Sequence, residues 1–173
     1  MKIFGLAGWS GAGKTSLMVR LLPELVERDL RVSTMKHAHH AFDVDTPGKD
    51  SYEHRQAGAT EVLVTSEKRW ALMHEHRGAP EAQLEELVAR MTPVDLLLIE
   101  GFKHHAHDKL EVFRREVGKS LLCVADPRVV AVASDGAVPE ARVPVIALGD
   151  TRAIADFIVA HCGLARGRAR GAA

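Results

Sequence analysis

"AGWSGAGKTSL", residues 7–17, is the stretch on which the reading of the fold turns. Gly8, Gly13, Lys14 and Thr15 fill the spacing G-x-x-x-x-G-K-[ST] of a phosphate-binding loop. Ahead of it, "KIFGLA" (residues 2–7) is short and mostly apolar, as a buried strand entering such a loop must be. Behind it, Leu17, Met18, Leu21, Leu22, Leu25 and Val26 recur with a helical period and predict one buried stripe, with Pro23 bending the helix. Strand, glycine loop and helix in that order let successive backbone N–H groups and a positive helix end converge on phosphate. Ser10, Gly11, Ala12, Gly13 and Ser16 are therefore expected to line a nucleotide, with Lys14 reaching its outer phosphates and Thr15 Oγ ligating Mg²⁺.

Working outward, "RVSTMK" (31–36) predicts a second strand, joined to the first by a right-handed parallel crossover. "HAHHAFDVDTPGKDS" (37–51) has no period and reads as a loop, followed by a short helix ending at Gly58. Residues 60–75 predict two strands around a turn at 66–68, an antiparallel intrusion on a parallel plan. Leu84, Leu87, Val88 and Met91 predict an amphipathic helix over 80–91. "VDLLLIE" (94–100) is the most apolar strand and is expected to be central. Residues 109–114, 120–125, 129–134 and 143–148 are further strand candidates. A last helix should start at a cap on Asp150 or Thr151, bury Ile154, Phe157 and Ile158, and stop at Gly163. The expected fold is α/β, a three-layer phosphate-loop NTPase with a mainly parallel, mixed central sheet. Residues 1–163 form one domain in this reading, and 164–173 a flexible Arg/Gly/Ala tail.

Composition narrows the partners. Lys plus Arg and Asp plus Glu number 23 each, so no bulk charge draws the chain to nucleic acid or an anionic membrane. No run approaches 18 apolar residues, no signal peptide precedes the first strand, and the cytoplasm is the expected compartment. Cys123 and Cys162 are expected to be reduced packing residues.

A phosphate loop with Mg²⁺ needs an acidic partner near the carboxyl end of a strand. Asp95 and Glu100 stand roughly 16 Å apart along an extended strand, so only one faces the crevice. Position favours Glu100, with Asp95 a cap at the opposite edge. Asp43 and Asp45 alternate with Phe42 and Val44, so in extended backbone both carboxylates point one way, toward Mg²⁺ or an attacking water. Turn and cap roles are the plainer alternative for both. His37, His39 and His40, and then His104, His105 and His107, form two clusters without four-ligand zinc spacing. Asp135, after the strand 129–134, has the acceptor pair that guanine's ring N–H and exocyclic amine require; a turn role before Gly136 is the competing reading.

With these pieces in place, the chain resembles the molybdopterin-guanine dinucleotide biosynthesis adapter protein family. "GWSGAGKTSL", "KHAHHAFDVDTPGKDS" (36–51), "SEKRWALM" (66–73) and "LLLIEGFK" (96–103) carry the resemblance, and the second block is the most specific. The resemblance implies a GTP-binding protein with weak intrinsic hydrolysis, a homodimer, and an association with the guanylyltransferase that joins GMP to molybdopterin. It carries phosphate and Mg²⁺ roles onto Gly8, Gly13, Lys14 and Thr15, and places Asp45 and Glu100 near the metal or hydrolytic water. Arg55 is the one candidate for an arginine finger in cis, and the hairpin 60–75 a candidate for extending a partner's sheet. Three other readings remain open on residues alone: a small-molecule kinase, a nickel- or zinc-handling GTPase, and a non-enzymatic scaffold that has kept an idle phosphate loop. Direct contact with molybdopterin is a further open point.

Overall fold

The computed structural model describes residues 1–38, 42–102 and 105–165. His39, His40, His104 and the tail from 166 onward lie outside them. Contacts gather into two compact units: residues 1–37 with the described part of 92–173, and residues 38–91.

The first unit is built on six strands: β1 (Lys2–Ala7), β2 (Val32–Lys36), β5 (Leu96–Glu100), β6 (Lys109–Phe113), β7 (Val129–Ser134) and β8 (Val145–Ala147). They lie in the order β2-β5-β1-β6-β7-β8. Every pairing in this sheet is parallel, and the fold belongs to the three-layer α/β class of phosphate-loop NTPases. β5 is interior, one place from the edge, and all five of its residues are buried. Only eight residues separate β5 from β6, fewer than a parallel crossover ordinarily takes. A stagger explains this: β6 starts opposite Gly5, near the end of β1, so the chain steps back very little.

Alternation along the strands divides the core. Phe4, Leu6, Leu96, Leu98, Leu110, Val112, Ala131 and Ala133 face α1 (Lys14–Val26) and α4 (Thr151–His161). Leu17, Leu21 and Leu25 on α1 and Ile154 and Ile158 on α4 are fully enclosed. Each contributes about 1.5–3 kcal/mol of transfer free energy, which anchors α1 independently of its polar first turn. Val26 departs from the predicted stripe and is exposed. Asp150 caps α4, accepting from the Ala153 amide at 2.9 Å.

On the opposite face, Phe113 and Val132 pack with Val138 and Leu121. Here the expected strand over 120–125 is not formed; the segment is a series of turns. Its amides are taken by a side chain: the buried Glu111 carboxylate accepts from Leu122 N at 2.8 Å and Cys123 N at 2.9 Å. Burial pushes the Glu111 carboxyl up, against those two hydrogen bonds. The amides of Ala125 and Asp126 turn back onto the Leu122 carbonyl instead of meeting a ladder.

His107 packs against Gly5 on this face: a Cβ built on Gly5 would lie 2.6 Å from its Nε2. Neither ring nitrogen has a hydrogen-bond partner among the described residues. Burial first, then the positive charge of Lys109 and of His105, lowers the imidazole to about 4, against the opposing pull of Asp108 and Asp126. The unfolded chain, titrating near ~6.5, binds this proton more readily, so the contribution is intact above that pH and is lost as pH falls toward 4. Between pH 7.5 and 5 the wild type should lose about 1–2 kcal/mol more than His107→Phe, after discounting for partial exposure. Denaturant titrations at the two pH values check this; equal losses would remove His107 as the cause.

The second unit holds α2 (Asp50–Gln56), β3 (Glu61–Thr65), β4 (Trp70–His74) and α3 (Leu84–Ala89). β3 and β4 pair antiparallel as a sheet of their own. The sequence expectation of an antiparallel element was right, but it does not enter the main sheet, so "mixed" is corrected to a parallel six-stranded sheet plus a separate hairpin. α3 is also shorter than expected: it starts only after the Gln83–Glu86 capping box, well past Pro80.

Candidate functional site

β1 ends at Ala7 and α1 begins at Lys14, and six residues turn the chain between them. Gly8 has φ 139°, and a Cβ there would stand 2.4 Å from the Val112 carbonyl oxygen on β6. Only glycine lets the loop leave β1 so close to its neighbour. Gly13 is the N-cap of α1 in left-handed conformation and provides no side-chain cap, which leaves first-turn amides to an external anion. Trp9 pins the loop from outside, donating its indole N–H to the Ser120 carbonyl at 2.8 Å.

Lys14 folds back over the loop, its Nζ donating to the carbonyls of Gly8 at 2.8 Å and Trp9 at 3.0 Å. Thr15 Oγ1 donates to Glu100 Oε1 at 2.8 Å. Strand alternation accounts for that contact: Leu96 and Leu98 face α1, so Glu100 does too, while Leu97 and Ile99 face away. Lys36, at the end of β2, sits 3.5 Å from the same Glu100 oxygen. A mostly buried carboxylate and a hydroxyl at the mouth of an amide-rich loop are oxygen ligands of the kind Mg²⁺ takes. These residues fit a magnesium–nucleotide. Asp95 faces the other way along β5, accepting from the Arg31 amide at 2.8 Å and from its guanidinium. Arg31, its main partner, holds the Asp95 carboxyl below the usual range.

Within the second unit, Asp43 and Asp45 meet at Arg55. Its Nη2 donates to Asp43 at 2.8 Å, its Nε to Asp45 at 3.2 Å and its Nη1 to Glu75 at 2.8 Å. Arg55 is thus committed to three carboxylates, Asp43 contributing most to the upward shift of the guanidinium. Arg55 likewise lowers the Asp43 carboxyl. Burial works to raise Asp45, yet hydrogen bonds from Ser51, the Thr46 amide and Arg55 hold it low. Phe42, Val44, Arg55, Leu72, His74 and Arg77 help to line a cavity of about 660 Å³ in this unit. Among the described residues, no group of three or more His, Cys, Asp or Glu side chains is gathered to hold a metal ion. His37 packs against Phe102 at a tilt of 38°, with ring centroids 4.6 Å apart.

Asp135 follows β7 and is about half exposed, 3.6 Å from Arg114. The sequence reading passed over Arg114 as a site residue. Its one visible signal was its place directly after the strand "KLEVF", where neighbouring strands release their own loops.

A family described as molybdopterin guanine dinucleotide synthesis protein B matches residues 3–135. The chain is 45% identical over 161 residues to the molybdopterin-guanine dinucleotide biosynthesis adapter protein of Escherichia coli (strain K12), covering 91% of each. It is 40% identical over 136 residues to the corresponding protein of Haemophilus influenzae, covering 77% of this chain and 74% of that one. Among solved structures, the crystal structure of Bacillus subtilis MobB superposes with a TM-score of 0.73 at 22% identity, covering 94% of this chain and 98% of that one. A crystal structure of molybdopterin-guanine biosynthesis protein B gives 0.70 at 24% identity, covering 92% and 99%. These structural likenesses concern the fold.

Proposed function

Because this chain belongs to the molybdopterin guanine dinucleotide synthesis protein B family, we propose that it serves as the adapter of that pathway by binding GTP with Mg²⁺. In this reading it works in the cytoplasm as a homodimer, alongside the guanylyltransferase that joins GMP to molybdopterin. The observation that carries the nucleotide reading is the 2.8 Å contact of Thr15 with Glu100 beside the Lys14 loop.

Each residue then has a distinct task. The amides of Ser10 to Ser16 surround the phosphates, with Gly8, Gly11, Ala12 and Gly13 keeping the loop open to them. Lys14 exchanges its two carbonyl partners for phosphate oxygens. Thr15 and Glu100 hold Mg²⁺, which supplies charge neutralisation on the phosphates when bound. Asp135 is the guanine reader. Turnover is slow, because Arg55 is occupied by carboxylates and a partner is needed to order the site. The exposed apolar residues Leu63, Val64, Trp70 and Leu72 on the hairpin support a role for it in assembly. No helix among the described residues is long and apolar enough to cross a membrane.

Calorimetric titration with GTP and ATP, with and without Mg²⁺, tests the reading. GTP should bind more tightly than ATP, and Mg²⁺ should strengthen binding. In Glu100→Gln the Mg²⁺ enhancement should shrink by about tenfold, the scale of losing one charged ligand. Equal affinity for both nucleotides, or an undiminished Mg²⁺ effect in the variant, would overturn it.

A further inference from the structure

The sheet runs β1, β6, β7 through its middle. The residues just past these three strands therefore stand in one row along the carboxyl edge: the phosphate loop, Arg114 and Asp135. Register sharpens this. Phe113 pairs with Ser134, which brings the next two residues, Arg114 and Asp135, side by side. Arg114 Nη1 lies 3.2 Å from Glu116 and 3.6 Å from Asp135. The other edge of the same guanidinium faces the loop: a Cβ built on Gly13 would lie 3.7 Å from Nε and 3.8 Å from Nη2. Nε is buried and has no acceptor among the described residues. A buried donor without a partner is costly, and such groups are retained where a ligand supplies what the protein does not.

We propose that Arg114 is the specificity-positioning residue of the nucleotide site, fixing the Asp135 carboxylate for guanine while offering Nε to an acceptor on the bound nucleotide. This rests on reading the loop as a guanine-nucleotide site. Asp135 is 45% exposed, so its carboxylate needs an external hold to keep its plane in one orientation. Guanine presents two donors on one edge, and only an oriented carboxylate takes both. Adenine offers no such pair, so orientation improves GTP and leaves ATP nearly unchanged. The arginine fork suits this work, because one planar group serves an acid on one edge and the loop on the other. A lysine has a single point of contact and serves only one of them.

Binding of fluorescent GTP and ATP analogues to the full chain, with Mg²⁺, tests the assignment. In Arg114→Ala, loss of the Nε contact should weaken both nucleotides, and GTP affinity should fall by about tenfold or more beyond that of ATP, so that the preference collapses. Arg114→Lys should fall between the two. Asp135→Asn should lose the same preference, and adding Arg114→Ala to it should weaken GTP and ATP alike, leaving their ratio within about twofold, since the two residues set the preference as one unit. A loss equal for GTP and ATP would mark a phosphate or folding role and overturn the assignment, as would no loss at all. If the wild type binds neither nucleotide, the guanine-site reading falls as well. A wild type that prefers GTP, with the ratio kept in Arg114→Ala, overturns Arg114 alone.

Discussion

Lys14→Ala should bind GTP about two to three orders of magnitude more weakly than the wild type, with little change in thermal stability. The two effects separate because Lys14 has different partners in each setting. In the structure its ammonium donates to two carbonyls of its own loop, a pair of contacts worth about 1 kcal/mol each, and water can replace them at this partly open position. Alanine is also the best helix former at the start of α1, and α1 is held by Leu17, Leu21 and Leu25 rather than by its first turn. Facing a triphosphate, the same ammonium meets concentrated negative charge in a confined cradle. Truncating one partner of such a pair costs about 2–5 kcal/mol. Calorimetry for affinity, with differential scanning calorimetry on the same samples, checks both halves. Unchanged affinity would remove Lys14 from the site, and a large drop in Tm would make its role structural.

Gly8→Ala should be the most destabilising single methyl the loop can receive. At φ 139° an L side chain is strained, and the added carbon would sit 2.4 Å from the Val112 carbonyl oxygen. That oxygen belongs to β6, so relief requires β1 and β6 to separate where the sheet positions the loop. Strain plus overlap predicts a loss of about 3–5 kcal/mol, or no folded product. Gly48→Ala is the matched control. Gly48 also has positive φ, 81°, but a Cβ there meets nothing within 4 Å, so strain alone of about 1 kcal/mol is expected. Denaturant midpoints for the two variants decide the matter. Similar, small losses in both would show that the loop yields, and the close approach to Val112 would lose its importance.

Local signals in the chain mark most of the candidate site. The phosphate loop is legible because glycine conformations, a lysine and a hydroxyl must recur at fixed spacing for amides to converge on phosphate. Glu100 was legible because a strand's carboxyl end is where its next side chain meets the loop. The antiparallel hairpin was legible as two alternating runs around a turn. Other features misled for physical reasons. "SLLCVA" has a strand's composition, yet the Glu111 carboxylate captures its amides from another strand. Arg114 looked like the end of a strand, and nothing in its neighbours along the chain announces that Gly13 and Asp135 flank it.

By itself, then, the sequence determined what short-range physics decides: the glycine loop, the buried stripe of α1, the cap of α4 and the apolar strands, each set by residues a few positions apart. The tertiary structure alone decided which strands became neighbours, and through them which side chains met. Thr15 reaches Glu100 across 85 positions of chain, and Arg114 meets both Gly13 and Asp135, because strand order and register bring their ends together. Register is a collective outcome of many buried pairings, and no single window of residues contains it.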